Sequence, residues 1–300
     1  SMDVKTGLPL VSLYGTNRKP TAVQLADIDI VIFDIQDVGA RFYTYISTMH
    51  YIMEACAENK KKVLILDRPN PNGFYVDGPI LEEKYKSFVG MHPIPVVHGL
   101  TVGELAKMIN GEGWLKGKVK CELEVIECIN YSHKDYYKLP IAPSPNLPNM
   151  SSVYLYPSIC FFEGTSVSVG RGTDFPFQII GSPYVLETSY SFIPSPNIGS
   201  KNPKYKDVKC NGYNLSLFGL LYIRNTKKMY LQWLLGMNEK TKGKDFITRT
   251  SFFDKLSGTS TLRSQIKEGK SEEEIHNSWE DGLKEYKLMR SNYLLYEDFE

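Results

Sequence analysis

Cysteine is scarce and scattered, with five residues among 300, no Cys-x-x-Cys pair and no histidine at zinc-finger spacing. That excludes a disulfide scaffold and a structural zinc site, and leaves small buried thiols as the expected role. Charge of one sign is also lacking: Lys+Arg 35 against Asp+Glu 34 leaves a net charge of +1. No global field draws the chain to nucleic acid or to a membrane surface, so no nucleic-acid partner is expected. No apolar run reaches the length of a membrane span, and the opening Ser1-Met2-Asp3 is polar, unlike a secretory signal. Four catalytic signatures are missing as well. No Gly-x-Gly-x-x-Gly or phosphate loop follows a strand, which argues against NAD and ATP. No Gly-x-Ser-x-Gly elbow supports serine hydrolysis, and no His-Glu-x-x-His supports a metal. No cofactor and no metal are expected.

What remains is a chain with 42% hydrophobic residues, enough for one large domain or two ordinary ones. The first part alternates strand-like and helix-like segments. Leu10–Tyr14, Ile28–Phe33, Val63–Leu66, Ile94–Val97 and Glu122–Ile126 read as strands. Thr21–Ala26, Tyr45–Glu58 and a segment capped by Thr101 with Glu104 read as helices. Apolar strands separated by helices predict an α/β fold with a parallel sheet covered on both faces. Pro140, Pro143, Pro145, Asn146, Pro148 and Asn149 mark an extended stretch, either a linker or a rigid loop holding Asn146 at a cleft. The domains expected on this basis are 1–138 and 139–300. Beyond the stretch, Val153–Phe162 is ambiguous, Leu217–Leu235 looks mostly helical, and Ser271 with Glu274 opens a helix whose stripe is Ile275, Trp279, Leu283 and Tyr286.

In open parallel sheets, ligands bind outside the carboxyl ends of the strands. Three predicted strands end there in polar clusters. The first holds Asp34, Gln36, Asp37, Arg41 and Tyr43; the second Asp67, Arg68, Asn70 and Asn72; the third His98 and Thr101. Carboxylates, guanidinium groups, amides and an imidazole meeting at one edge suit a sugar, which needs hydrogen-bonding partners and acids for proton transfer. Each cluster also has a purely structural reading: Asp34 as a turn cap, Asp67-Arg68 as a local ion pair, His98 as a packed imidazole. Further on, Glu163-Gly164-Thr165 and Gly170-Arg171-Gly172-Thr173 form a glycine-rich segment. Its Arg171 suits an anionic or carbonyl group, and equally a solvated turn.

These residues carry a family likeness. Phe33-Asp34-Ile35-Gln36-Asp37-Val38-Gly39-Ala40-Arg41-Phe42-Tyr43-Thr44-Tyr45 resembles the signature of the NamZ exo-β-N-acetylmuramidases. So do Leu66 to Pro71, Pro95 to Thr101, Pro143 to Pro148, Phe162 to Thr173 and Tyr293-Leu294-Leu295-Tyr296. The likeness spans most of the chain and weakens between Pro194 and Gly269. It implies a Rossmann-like, mostly parallel first domain and a second α/β domain closing a cleft. It also implies release of terminal N-acetylmuramic acid from the non-reducing end of peptidoglycan fragments, with a periplasmic or secreted location. Ahead of the Lys5–Pro9 segment, family members carry a region with a Gly-Pro-Glu-His-Gly motif, so the expectation is that the first strands and one carboxylate lie outside this chain.

Glycoside hydrolysis uses two carboxyl groups. On the resemblance, Glu163 is the expected acid/base, working with Asp37 or with the upstream Glu. Arg41, Arg68 or Arg171 would grip the lactyl carboxylate of muramic acid, Tyr43 would stack on the ring, and Asn70, Asn146 and His98 would bind hydroxyl or acetamido groups. Asp34, Gln36, Asp67 and Thr173 complete the residues expected at the substrate, a peptidoglycan-derived muramyl saccharide. The alternative is a non-catalytic binding protein for cell-wall amino sugars.

Overall fold

Two helical crossovers between parallel strands decide the shape of the first half. The computed structural model describes residues 2–13, 15–186, 188–241 and 245–300. After a short helix, α1 (Ala22–Leu25), strands β1 (Ile30–Phe33), β2 (Lys62–Leu66) and β3 (Glu122–Ile126) form a parallel sheet in that order. Ile30 lies opposite Lys62, and Lys62 opposite Glu122. α2 (Tyr45–Glu58) returns the chain from β1 to β2, and α3 (Val102–Gly111) from β2 to β3. With strands laid down in sequence, crossovers of one hand put both helices on one face. Phe33, Val63 and Ile65 are buried there against Ile46, Met49, Met53, Leu105 and Met108. The other face carries Ile30 and Ile32, 49% and 57% exposed, and an ion pair between Lys62 and Glu124. The predicted cover on both faces is therefore not found among the described residues.

α3 starts where expected. Thr101 accepts from the Glu104 backbone N–H, and Glu104 reaches back to Thr101, the reciprocal cap that satisfies two otherwise orphaned donors. Two predicted strands are corrected. Leu10–Leu13 forms none, and Leu10 and Val11 stand exposed; Tyr14 lies outside the described residues. Ile94–Val97 is buried but joins no sheet; Val97 instead makes single antiparallel bridges to Ala40 and Asp77. Its apolar run records burial rather than strand pairing.

In the second half the ambiguous segment is a helix, α4 (Met150–Ile159), buried along nearly all its length and running into a 3-10 turn over Cys160–Gly164. Pro157 has no N–H to give the carbonyl four residues back. That carbonyl, of Val153, is taken by Asn72 Nδ2 at 3.2 Å, so the helix defect becomes a tie between the halves. A small antiparallel sheet follows, β4 (Ile179–Ser182), β5 (Tyr190–Phe192) and β6 (Cys210–Asn214), in the order β4-β6-β5.

Leu217–Leu235 is helical but broken. A π-helical turn, Gly219–Ile223, runs into α5 (Arg224–Thr226), which ends at left-handed Lys227 before α6 (Gln232–Lys240). α7 (Thr250–Ser257), α8 (Thr261–Glu268), α9 (Glu272–Asn277) and α10 (Glu280–Ser291) complete the chain. Ser271 and Glu274 cap α9 as predicted, although the helix breaks before Trp279. One apolar core spans both halves, joining Val38, Phe42, Phe74 and Val96 to Val153, Phe161, Phe253 and Trp279.

Candidate active site

The loops that follow β1 and β2 interleave. Asp34 Oδ1 accepts from Arg68 Nε at 2.8 Å, with Nη2 at 2.6 Å. Gln36 Nε2 donates to the carbonyls of Asp37 and Pro69 at 2.8 and 2.9 Å. Gly39 adopts φ +76° and lies so close to Asn70 that any Cβ would overlap its amide, which is why this turn needs glycine. Asn70 Nδ2 donates to Leu100 O at 2.9 Å, and its Oδ1 accepts from Asn72 N at 2.8 Å. The segment before α3 thus arrives at the same edge although it is not a sheet strand.

Asp37 and His98 meet there. Both are buried, with Asp37 Oδ2 accepting from Gly39 N at 2.7 Å and lying 3.5 Å from His98 Nε2. His98 Nδ1 accepts from Leu100 N at 3.3 Å, a contact that assigns any proton of the neutral ring to Nε2, facing Asp37. Asp37 Oδ1, His98 Nε2 and Asn72 Oδ1 have no hydrogen-bond partner. Buried polar atoms are rarely left unpaired, so this loop cluster keeps both acceptor and donor capacity in reserve.

Asp67 is different. It accepts from Arg68 N (2.9 Å), Gly103 N (2.8 Å), Thr101 Oγ1 (2.7 Å) and the Tyr296 hydroxyl (2.6 Å). Burial raises its pKa above the usual value while these four bonds oppose the rise. Its lone pairs are spent on seating α3 and the closing motif, so it is a scaffold group and not a free substrate ligand.

Arg41 is likewise corrected. It is fully buried, and its guanidinium donates to the carbonyls of Pro79 (2.7 Å), Ile94 (2.6 Å), Leu256 (3.0 Å) and Ser257 (2.7 Å). Burial pushes its pKa down to about 9. A guanidinium committed to four internal carbonyls cannot clamp a substrate carboxylate. Tyr43 gives its hydroxyl to Pro143 O at 2.8 Å and meets Tyr45 and Tyr156 edge-on, with centroids at 5.2 and 6.0 Å. It ties the proline-rich stretch to the β1 loop instead of offering a free ring. Asn146 donates to Gly199 O at 2.7 Å, so its amide braces the second half.

Glu163 sits in the turn after α4, held by Arg171 Nε at 2.6 Å and Nη2 at 3.2 Å. Arg171 rests over the Phe177 ring at 4.8 Å, and Thr173 Oγ1 donates to Gly170 O at 2.7 Å. The expected convergence is therefore partial. Asp37, Asn70 and His98 form one cluster, Asp34 and Arg68 a more exposed pair beside it, and Glu163 and Arg171 a third group. Burial raises the phenols of both Tyr43 and Tyr156, with Tyr45 and Asp37 acting further on Tyr43, and Cys160 and Glu163 acting further on Tyr156.

Sequence reading missed Tyr296 as the partner of Asp67, and Lys204. Lys204 Nζ donates to Phe162 O (3.3 Å), Thr165 O (2.6 Å) and Val167 O (3.2 Å), and burial pushes its pKa down to about 8. No local pattern announces it.

Acids, amides and an imidazole at the carboxyl ends of parallel strands are the groups that an α/β protein of the glycosidase class requires. The family described as exo-beta-N-acetylmuramidase NamZ matches in two parts, its N-terminal region over residues 1–151 and its C-terminal region over 154–296. The chain belongs to this family. It is 39% identical to the peptidoglycan beta-N-acetylmuramidase NamZ of Bacillus subtilis (strain 168) over 322 aligned positions, covering 98% of this chain and 74% of that protein. Two crystal structures of DUF1343 family proteins from Bacteroides fragilis NCTC 9343 share the fold. One has a TM-score of 0.94 at 50% identity and the other 0.80 at 30%, each covering 99% of this chain and 82% of the other.

Proposed function

We propose that this glycosidase releases terminal N-acetylmuramic acid from the non-reducing end of peptidoglycan fragments. The observation that carries the reading is 39% identity, across nearly the whole chain, to a peptidoglycan beta-N-acetylmuramidase. Muramyl fragments arise at the cell wall, so the same reading includes action in the periplasm or outside the cell.

Cleavage needs a proton delivered to the leaving oxygen and a carboxylate acting on the sugar. Asp37 has one oxygen fixed by Gly39 N–H and the other unpartnered, the state of a carboxylate ready to act as base or nucleophile. His98 Nε2 lies 3.5 Å from the Gly39-bound oxygen, with its donor free for the substrate. Glu163 is held by Arg171, which occupies the oxygens that the reaction would use. The lactyl carboxylate of muramic acid is the natural competitor for Arg171, because a guanidinium pairs two carboxylates by the same bidentate geometry. Substrate arrival then frees Glu163, and a sugar without the lactyl group leaves it locked.

Release of nitrophenol from 4-nitrophenyl β-N-acetylmuramide, beside the β-N-acetylglucosaminide, tests this. The muramide should be hydrolysed at least ten times faster, and Asp37→Asn and Glu163→Gln should each lower the rate by about 100-fold or more. Binding of the muramide without release would replace the enzyme reading by that of an amino-sugar binding protein.

A further inference from the structure

Outside these clusters, a cleft of about 630 Å³ opens between the proline-rich stretch, α4 and the π-helical turn. Its volume lies within the range of small-molecule sites. Neither Asp37, His98 nor Glu163 lines it. Tyr43 marks the boundary, since its hydroxyl bonds to Pro143, a residue of the cleft wall.

The chemistry of the wall is one-sided. Lys138 and Arg224 line it, and among the described residues no Asp or Glu does. The guanidinium of Arg224 lies over the Tyr136 ring at 4.1 Å, and the Tyr136 hydroxyl donates to the Arg224 carbonyl at 3.1 Å. Both cations lack a carboxylate within ion-pair distance among the described residues, whereas Arg68, Arg171, Arg263 and Arg290 each have one. The wall also holds Gln178, 2% exposed. Its Oε1 accepts from Asn149 Nδ2 at 3.0 Å, while its Nε2 has no partner. An unspent amide donor in the wall of a cationic cleft is capacity for an acceptor that the protein itself does not supply.

The wall is built with care. Gly219 opens the π-helical turn so close to α4 that a Cβ would meet Leu155 and the Ser151 carbonyl at 2.8 Å. π-Turns are rare and recur at functional sites. Here the turn ends by carrying Arg224 to the cleft.

We propose that this cleft is a second binding site, separate from the reacting clusters, for a carboxylate-bearing N-acetyl amino sugar. Arg224 and Lys138 take the carboxylate, and the Gln178 side chain turns on binding to bring its Nε2, sealed from solvent in the unbound cleft, to the acetamido carbonyl. The cationic, amide-bearing chemistry stands on the cleft alone; the choice of a muramyl sugar rests on the proposed function. A peptidoglycan fragment carries more than one muramyl residue, so the cleft would hold one remote from the bond being cut and raise the affinity for longer fragments.

Calorimetric titration of the full chain with N-acetylmuramic acid, N-acetylglucosamine and D-lactate tests the site, together with Arg224→Ala, Arg224→Lys and Lys138→Ala. N-acetylmuramic acid should bind at least tenfold tighter than either probe. Arg224→Ala should weaken it at least tenfold, Arg224→Lys less, and hydrolysis of the nitrophenyl muramide by Arg224→Ala should stay within twofold of the parent. If the parent hydrolyses no muramide yet binding still depends on Arg224, the proposed function fails and the second site stands. Binding indifferent to Arg224 overturns the site. So does D-lactate binding as tightly as the sugar acid, or hydrolysis falling in parallel with binding, which would make the cleft part of the reacting centre.

Discussion

Arg41 and Arg68 show how one residue type serves two ends within one polar edge. Arg68 meets a half-exposed Asp34 and keeps access to solvent. Arg41 is sealed among four carbonyls drawn from residues 79, 94, 256 and 257, so it fastens both halves of the chain to the β1 loop. Removing the guanidinium leaves several buried acceptors unpaired, each costing about 1–3 kcal/mol. Arg41→Met should therefore lower unfolding free energy by roughly 3–5 kcal/mol, read as an earlier urea midpoint, and Arg41→Lys should rescue little because one ammonium cannot reach all four carbonyls. Arg68→Met should cost about 1 kcal/mol or less in the same measurement. A string of letters shows that an arginine follows a strand, but not whether its side chain turns inward. That depends on carbonyls that are all distant in sequence, two of them more than 200 positions away, and for this reason Arg41 reads as a substrate ligand from sequence. The same distance hides Tyr296 from Asp67.

The helices are where local sequence speaks most directly. α2 and α3 are legible because apolar spacing and a reciprocal cap are local facts. The parallel order of β1, β2 and β3 follows from the helices between them. Ile94–Val97 misleads because a buried connector and a buried strand have the same composition. One feature of α2 has no signature at all: His50 Nδ1 lies 3.0 Å from His92 Nε2, with Glu54 at 3.6 Å and Trp114 stacked on His92. Burial lowers the pKa of His50 to about 4 and that of His92 well below its ordinary value. A base with a depressed folded pKa stabilises the fold above its unfolded value and loses that contribution as pH falls toward the folded value. Stability should therefore decline between about pH 6.5 and pH 4, by up to roughly 3 kcal/mol from His50 alone. Glu54, whose own pKa is lowered, adds loss in the same direction below its usual range. Thermal melts across that window check this. His50→Gln should flatten the slope, and an unchanged slope would place the acid sensitivity elsewhere.

At the scale of the whole molecule, the shared core and a few polar ties hold the halves together. Asp77 is the tie with a charge switch. It accepts from Gly78 N at 2.8 Å and Met229 N at 2.7 Å, and its Oδ1 stands 3.4 Å from His276 Nδ1. Burial works against the charge on His276, but Asp77 and Glu272 outweigh it and the net pKa is raised. A raised folded pKa stabilises fully below the unfolded value, near 6.5, and fades as pH climbs through the folded one. His276 thus acts opposite to His50: one weakens the fold in acid, the other weakens the junction in base, and greatest stability should fall between them. Asp77→Asn keeps an acceptor for the backbone donors but removes the charge that holds the imidazolium. It should cost about 2 kcal/mol near pH 6, the worth of a charge-assisted bond, and clearly less near pH 9, because the contribution of a raised histidine fades as pH climbs. Equal losses at the two pH values would mean that Asp77 works only through its backbone bonds, and that the junction carries no proton switch.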